Sequence, residues 1–408
     1  MKVLMISPGF PDDMPLFTTG LARVGATVIG VGDQPKASLK PEVADALSAY
    51  LPVAQLWEEE STVDTVAEWL ESNGVTVDRV ECLWEPGVML AAKLRKRLGI
   101  DGLTIEQAVA FRDKETMKTV LDAAGIRTPH HYRAGTSEEV REAAEKVGWP
   151  LIVKPIAGAG SADTYTARSD EDLDDILNAI GHVEEVSVEE FIEGEEYTYD
   201  TVCADGRILF QNVGWYRPKP LVARLTPWIS QQCVCLRDIE TPEISVGVEM
   251  GHQVLQALQF KTGFTHMEWF RTASGEAVFG EIAARSPGGR LTHGMNMSCD
   301  IDLFTGWAEA VCAGKLSQDT TKKHNAAMVF KRAQGGGQTI TRVEGLEAIL
   351  AEHGEHIPLI DLVPVGAPRR DWTKVVTGDG WMIARHPDLD TVLQIANRLS
   401  TEVRMIAG

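Results

Sequence analysis

No apolar run in the 408-residue chain approaches the roughly 18 continuous residues that a membrane-crossing helix needs. Basic charge is scarce: 39 Lys and Arg stand against 59 Asp and Glu, a formal net charge of −20. Such a surface repels nucleic acid and anionic lipid, which counts against both as partners. It leaves room for an anionic small ligand in a locally basic pocket. Cysteine is sparse and scattered: Cys82, Cys203, Cys233, Cys235, Cys299 and Cys312. None of the pairs has zinc-site spacing, and Cys233-Val-Cys235 is too tight for a common site. They read as reduced thiols of a cytoplasmic protein. Internal repeats and low-complexity tracts are absent, and Gly30 and Gly32 lack the G-x-G-x-x-G dinucleotide spacing. The opening Met-Lys-Val-Leu-Met-Ile, with one basic residue and a short apolar run, suits a first buried strand better than a signal peptide.

What is present is ordinary for a globular chain, at 44% hydrophobic and 24% charged residues, and the length suits two to four domains. The pattern predicts strands at Lys2–Ile6, Thr27–Val31 and Arg79–Trp84, with helices at Thr19–Gly25, Thr62–Asn73 and Gly87–Leu98. That alternation implies an α/β, Rossmann-like unit with a parallel sheet. A second unit opens with helices at Asp113–Ala124 and Ser137–Val147, the latter capped by Thr136 or Ser137. A buried strand at Pro150–Lys154, an acidic helix at Ser169–Ile180, and strands at Glu185–Phe191 and Tyr197–Cys203 follow.

The chemistry concentrates at Glu268–Gly289. Thr272-Ala273-Ser274-Gly275 supplies turn residues between two apolar, β-rich arms, so the segment reads as a hairpin. Folding back brings Glu268 and Glu281 together, and two adjacent carboxylates repel unless a cation lies between them. Hard oxygen ligands of this kind suit Mg²⁺ shared with substrate phosphates. Arg285 follows four residues later and leads into Ser-Pro-Gly-Gly, whose backbone can approach an anion. The alternative is an ordinary hairpin with exposed acids.

Three further segments carry weaker signals. Lys154 leaves a buried strand beside the small-residue loop containing Gly158, Gly160 and Ser161. That arrangement suits phosphate, because small residues let backbone N–H groups approach and the lysine adds a point charge. It lacks the Gly-Lys-Ser/Thr end of a Walker A loop. Lys114 starts a helix, where the macrodipole disfavours a cation unless an anion is near. Val188–Tyr197 carries Glu189, Glu190 and Glu196 around a strand end at Ile192. Its backbone could pair with an adenine edge, and its acids could accept from an amine and ribose hydroxyls. Each segment also has a plain reading as a solvated turn or charge cluster.

Taken in order, Lys114, Lys154 with its glycine loop, Glu189 to Glu196, then Glu268, Glu281 and Arg285 resemble the ATP-grasp superfamily over about residues 110–312. The resemblance implies an α/β (α+β) ATP-grasp fold. It divides the chain into a preATP-grasp domain at 1–110, a small or lid subdomain at 111–193, a large subdomain with the metal site at 194–318, and a C-terminal α/β segment at 319–408. It further implies that Lys114 and Lys154 hold ATP phosphates under the loop Gly158–Ser161. Glu189 would accept from the adenine amine, with the backbone of Glu190 and Ile192 reading the ring, and Glu196 would hold the ribose. Glu268 and Glu281 would hold Mg²⁺ (Mn²⁺ as the alternative), and Arg285 would face the reacting carboxylate, acting in catalysis with Lys154. The chain departs at Ala283, where many members carry Asn as a further metal ligand. Some amino-acid ligases look similar here, which tilts the expectation towards an ADP-forming carboxylate–amine ligase. Bicarbonate-activating carboxylases and a non-catalytic ATP-binding protein are the competing readings.

Gly214–Trp228 reads as an irregular segment rich in aromatics and cations. Arg217, Lys219 and Arg224 are its candidates for docking a substrate carboxylate, with Trp215, Tyr216 or Trp228 forming a pocket, and His266, Arg290 and His293 are candidates near the metal hairpin. The expected partners are therefore a small carboxylate and an amine, and exposed sheet edges are compatible with a homodimer.

Overall fold

Aliphatic runs that alternate with amphipathic helices build the first third of this computed structural model, which describes residues 1–157, 163–375 and 377–408. Strands β1 (Lys2–Ile6), β2 (Thr27–Gly32), β3 (Leu47–Pro52) and β4 (Arg79–Glu81) pair in parallel, in the order β3-β2-β1-β4. Helices Glu59–Ser72 and Val88–Leu98 cover one face around Leu4, Ile6, Val66 and Leu94. The first helix is Met14–Arg23, five residues earlier than expected, because Pro15 is tolerated in a first turn whose N–H groups have no partner. β4 stops at Glu81, the remainder of the expected strand, Cys82–Trp84, is irregular, and a 3₁₀ element, Glu85–Gly87, follows, opened by the Glu85-Pro86 pair.

The helix Lys114–Ala123 leads into an antiparallel sheet of β5 (His131–Ala134), β6 (Leu151–Pro155), β7 (Tyr165–Ala167) and β8 (Val186–Glu190), ordered β5-β8-β6-β7. Helices Ser137–Val147 and Asp170–Ala179 pack on it around Leu151, Val153 and Val188. Thr136 caps the first of these in a capping box with Glu139.

The remaining strands are β9 (Gly194–Ala204), β10 (Arg207–Arg217), β11 (Gln232–Cys235), β12 (Gly263–Thr272), β13 (Ala277–Ala283), β14 (Asn325–Lys331), β15 (Ile340–Glu344), β16 (Leu359–Leu362), β17 (Gly380–His386) and β18 (Arg404–Ala407). Eight of them form one antiparallel sheet, β13-β12-β9-β10-β11-β14-β17-β16, so strands from the last quarter of the chain continue the sheet begun at residue 194. β15 and β18 pair separately. On one face, helix Pro242–Ala257 lies close enough that a Cβ at Gly247 would stand 2.2 Å from the Trp269 ring. On the other, helices Leu291–Cys299 and Leu303–Ala313 join Met14–Arg23 in a second core containing Phe17, Phe264 and Trp307. The expected irregular segment at Gly214–Trp228 is partly regular: its start completes β10, and Pro220–Leu225 is a short helix. Among the described residues no helix is long and apolar enough to cross a membrane.

Candidate active site

The hairpin arms pair with Glu268 directly opposite Glu281. A regular register from the turn would have put Gly280 there, since Phe270 faces Val278 and Trp269 faces Phe279. A β-bulge after Trp269 absorbs Gly280 and moves Glu281 onto the face that carries Glu268. Only glycine suits the bulge, since a Cβ there would lie 2.8 Å from the Glu268 carbonyl oxygen. The neighbouring strand β9 places Glu196 opposite Phe270, Thr198 opposite Glu268 and Asp200 opposite His266, on the same face.

That face closes one side of a cavity of about 140 Å³, and β6, β8 and the start of helix Lys114–Ala123 close the other. Lys114, Lys154, Glu189, Glu190, Ile192, Glu196, Glu268 and Glu281 all line it. Phe270, Leu221 and Phe191 add an apolar wall, and Lys219 contributes a further cation. Helix Lys114–Ala123 is fixed there by its cap. Asp113 accepts from the N–H groups of Glu115 and Thr116 at 3.1 and 2.8 Å and is itself clamped by Arg133. The Lys114 N–H donates to the Ile156 carbonyl at 3.3 Å, which joins the helix start to the end of β6.

Charges in the cavity are paired across elements. Lys114 lies 3.3 Å from Glu281, and Lys154 lies 2.9 Å from Glu189. Glu189 also accepts from Lys118, fully buried one turn along the same helix, and from the Ser187 hydroxyl at 2.7 Å. Burial would raise the Glu189 carboxyl, but Lys118 and Lys154 outweigh it and hold it far below the usual range. Burial likewise works against ionised Glu281, yet Lys114 and Lys154 bring it down to about 2. Glu196 goes the other way: burial, then the charge of Glu268, pushes it well up.

Glu196, Glu268 and Glu281 on one face of the cavity, the last two in direct register, fit a hard divalent cation. Among the described residues no group of three or more His, Cys, Asp or Glu is placed to hold a metal by itself. The arrangement therefore suits an ion that takes two protein carboxylates and completes its shell with phosphate oxygens and water. Ala283, opposite His266, adds no ligand.

His266 does not open into the cavity. It is 8% exposed, its Nδ1–H donating to Asp200 at 2.6 Å, with Nε2 3.7 Å from Glu268. Burial disfavours its charge, but Asp200 and Glu268 overcome that and raise it to about 9. Asp200, fully buried, also accepts from Thr198 at 2.8 Å and Asn212 at 3.1 Å. The Tyr216 hydroxyl approaches Glu268 at 3.5 Å.

Trp215, Arg217, Arg290 and His293 fall elsewhere. Trp215 stacks near Tyr197 and donates to Glu195 at 2.9 Å, and Arg217 lies over the Trp215 ring, on the sheet face away from Tyr216. From that segment the expected Lys219 does reach the cavity, together with Leu221. Arg290 pairs with Asp12 and Asp13, and His293 packs against Phe304 and Trp381. Arg285 is engaged by Glu85 and donates to the Ser286 carbonyl at 2.7 Å. The Glu190 side chain is held by Arg127 at 2.9 Å, and its N–H is taken by the His130 carbonyl, so that N–H does not serve a ligand. Gly158, Gly160 and Ser161 lie outside the described residues.

Sequence reasoning missed Lys118, Glu85 and Asp200. Lys118 had a signal, since it sits four residues after Lys114 and so shares its helix face. Glu85 had none, because its partners Arg112 and Arg285 are 27 and 200 residues away.

Comparison with known proteins matches residues 111–213 to a family model described as an ATP-grasp domain. An L-arginine-specific L-amino acid ligase of Bacillus subtilis is 32% identical over 234 residues, 56% of this chain and 56% of that protein. An alanine–anticapsin ligase of Bacillus subtilis (strain 168) is 31% identical over 150 residues, 34% of this chain and 31% of the relative. The chain thus spans about half or less of the length of these relatives. The solved L-amino acid ligase from Bacillus licheniformis superposes with a TM-score of 0.79 at 19% identity, covering 100% of this chain and 98% of that one. N5-carboxyaminoimidazole ribonucleotide synthetase from Thermotoga maritima gives 0.73 at 18% identity, covering 100% and 99%. Residues 111–213 therefore match an ATP-grasp domain, and the whole chain shares the fold of the solved L-amino acid ligase.

Proposed function

We propose that the protein is an ATP-dependent carboxylate–amine ligase that forms an amide or peptide bond, acting on an amino acid or similar small acid. The observation that carries this reading is the placement of Glu268 opposite Glu281 in the cavity that Lys114 and Lys154 share. The relatives named as amino-acid ligases support it, as does the departure at Ala283.

Anionic carboxylate and anionic γ-phosphate repel each other. Lys114, Lys154 and Arg285 supply positive charge against that repulsion and orient the phosphate for in-line attack. In this reading the phosphate oxygens take over Lys154 from Glu189 and Lys114 from Glu281. Glu281 and Glu268 would then hold Mg²⁺, which when bound would supply electrophilic stabilisation of the transferring phosphoryl group. The substrate carboxylate takes the phosphoryl group, ADP leaves, and the amine displaces phosphate from the acyl carbon. Glu189 and the backbone around Ile192 hold the adenine, Glu196 holds the ribose, and the sheet β5–β8 with its glycine loop serves as the lid that keeps water from the acyl phosphate. The reading divides the chain at residues 110, 193 and 318, and places it in the cytoplasm with its cysteines reduced.

The test is phosphate release from ATP and Mg²⁺ across single amino acids, pairs of amino acids and bicarbonate. The expected result is release that needs a pair, with a product mass equal to the sum minus water. The same assay should lose at least about a hundredfold in Glu281→Gln, the order seen when an electrostatic partner of the transition state is removed. Release with bicarbonate alone would favour a carboxylase, and full turnover in Glu281→Gln would overturn the metal assignment.

A further inference from the structure

The loop that follows the metal hairpin is gripped at both ends by acids of the N-terminal parallel-sheet unit. At its start the Arg285 Nε donates to Glu85, and at its end Arg290 reaches Asp13 at 2.6 Å and Asp12 at 3.2 Å. Glu85 is well placed for this. It is 9% exposed, and it opens the 3₁₀ element Glu85–Gly87, where the chain leaves β4. Its second carboxylate oxygen accepts from Arg112, so one buried carboxylate stands between two guanidinium groups. The trio carries a net positive charge even when complete. Burial would raise the Glu85 carboxyl, but Arg285 and Arg112 keep it below its usual range. Arg285 in turn spends Nε on Glu85 and Nη1 on the Ser286 carbonyl, which together fix the plane of its guanidinium.

We propose that Glu85 is a positioning residue. By holding Arg285 through Nε and separating it from Arg112, it aims the guanidinium of the Arg285–Arg290 loop at the phosphate formed in the reaction. The N-terminal unit thereby sets the geometry of the phosphate end of the site without touching the nucleotide. This rests on the reading of Arg285 as the arginine that faces the transferred phosphate, but it needs neither the substrate acid nor the amine. Removing the carboxylate would leave two partly buried guanidinium groups side by side. Their repulsion would drive Arg285 out of position rather than merely free it for the anion.

The test is calorimetric titration of inorganic phosphate into full-length protein saturated with MgADP, with ADP affinity measured separately. Glu85→Gln is expected to weaken phosphate binding by about tenfold or more, the order for one charge-assisted hydrogen bond, and to change ADP affinity less than twofold. Glu85→Asp is expected to recover part of the loss. In an Arg285→Met background the Glu85→Gln change should cost nothing further, since the residue acts through the arginine. Equal or tighter phosphate binding in Glu85→Gln would overturn the proposal, as would losses that simply add in the double variant or a wild-type protein that binds no phosphate. Should Glu85→Gln fail to fold, Glu85→Asp decides by the same criteria. A negative ligation screen together with the expected phosphate results would count against the ligase reading alone.

Discussion

Glu189→Gln is expected to destabilise the protein far more than its single atom change suggests. Glu189 takes Lys118 and Ser187 on one carboxylate oxygen and Lys154 on the other. Lys154 has the charges of Glu281 and Glu268 nearby and keeps compensation when Glu189 is neutralised. Lys118 does not. Its side chain is 0% exposed, burial already lowers its pKa, and Glu189 is its main opposing charge. The variant would strand a buried ammonium, at a cost of about 3–5 kcal/mol. Lys118→Met removes the cation instead and leaves Glu189 paired with Lys154, which should cost about 1–3 kcal/mol. The double variant removes the stranded charge and should be more stable than Glu189→Gln alone. Urea unfolding of the three variants, nucleotide-free and at pH 7, measures all of these. A loss below about 1 kcal/mol in Glu189→Gln would refute the argument, as would a double variant no more stable than that single change.

His266 gives a pH signature. Its folded pKa is raised from 6.5 to about 9, so its contribution is fully present below pH 6.5 and is lost as pH rises through 9. The stability gap between wild type and His266→Asn, measured in EDTA, should shrink by up to roughly 3 kcal/mol across that window, and a flat gap would contradict the Asp200–His266–Glu268 contact as the cause. Gly247→Ala should destabilise by about 1–3 kcal/mol through overpacking, because the new Cβ would stand 2.2 Å from the rigid, fully buried Trp269 ring. A thermal midpoint unchanged from wild type would show that helix Pro242–Ala257 can shift freely.

Local features follow from the order of residues alone. The helix from Lys114, the Thr136 cap, the strand leading to Lys154 and the hairpin of Glu268 and Glu281 were all legible, because each depends on residues a few positions apart whose spacing and turn chemistry are written in order. The ordered set of charged residues was enough to raise the ATP-grasp resemblance. Tertiary structure decided which of those residues share a cavity. Trp215, Arg217, Arg290 and His293 lie elsewhere, because strand parity and the N-terminal acids direct them away from it. It also decided that Glu281 rather than Gly280 stands opposite Glu268, since a one-residue bulge reverses the facing of everything after it. Lys118 against Glu189, His266 against Asp200 and Arg285 against Glu85 join residues 66 to 200 positions apart. A buried charge is tolerable only beside its partner, and no local pattern in the chain records which distant segment brings that partner in.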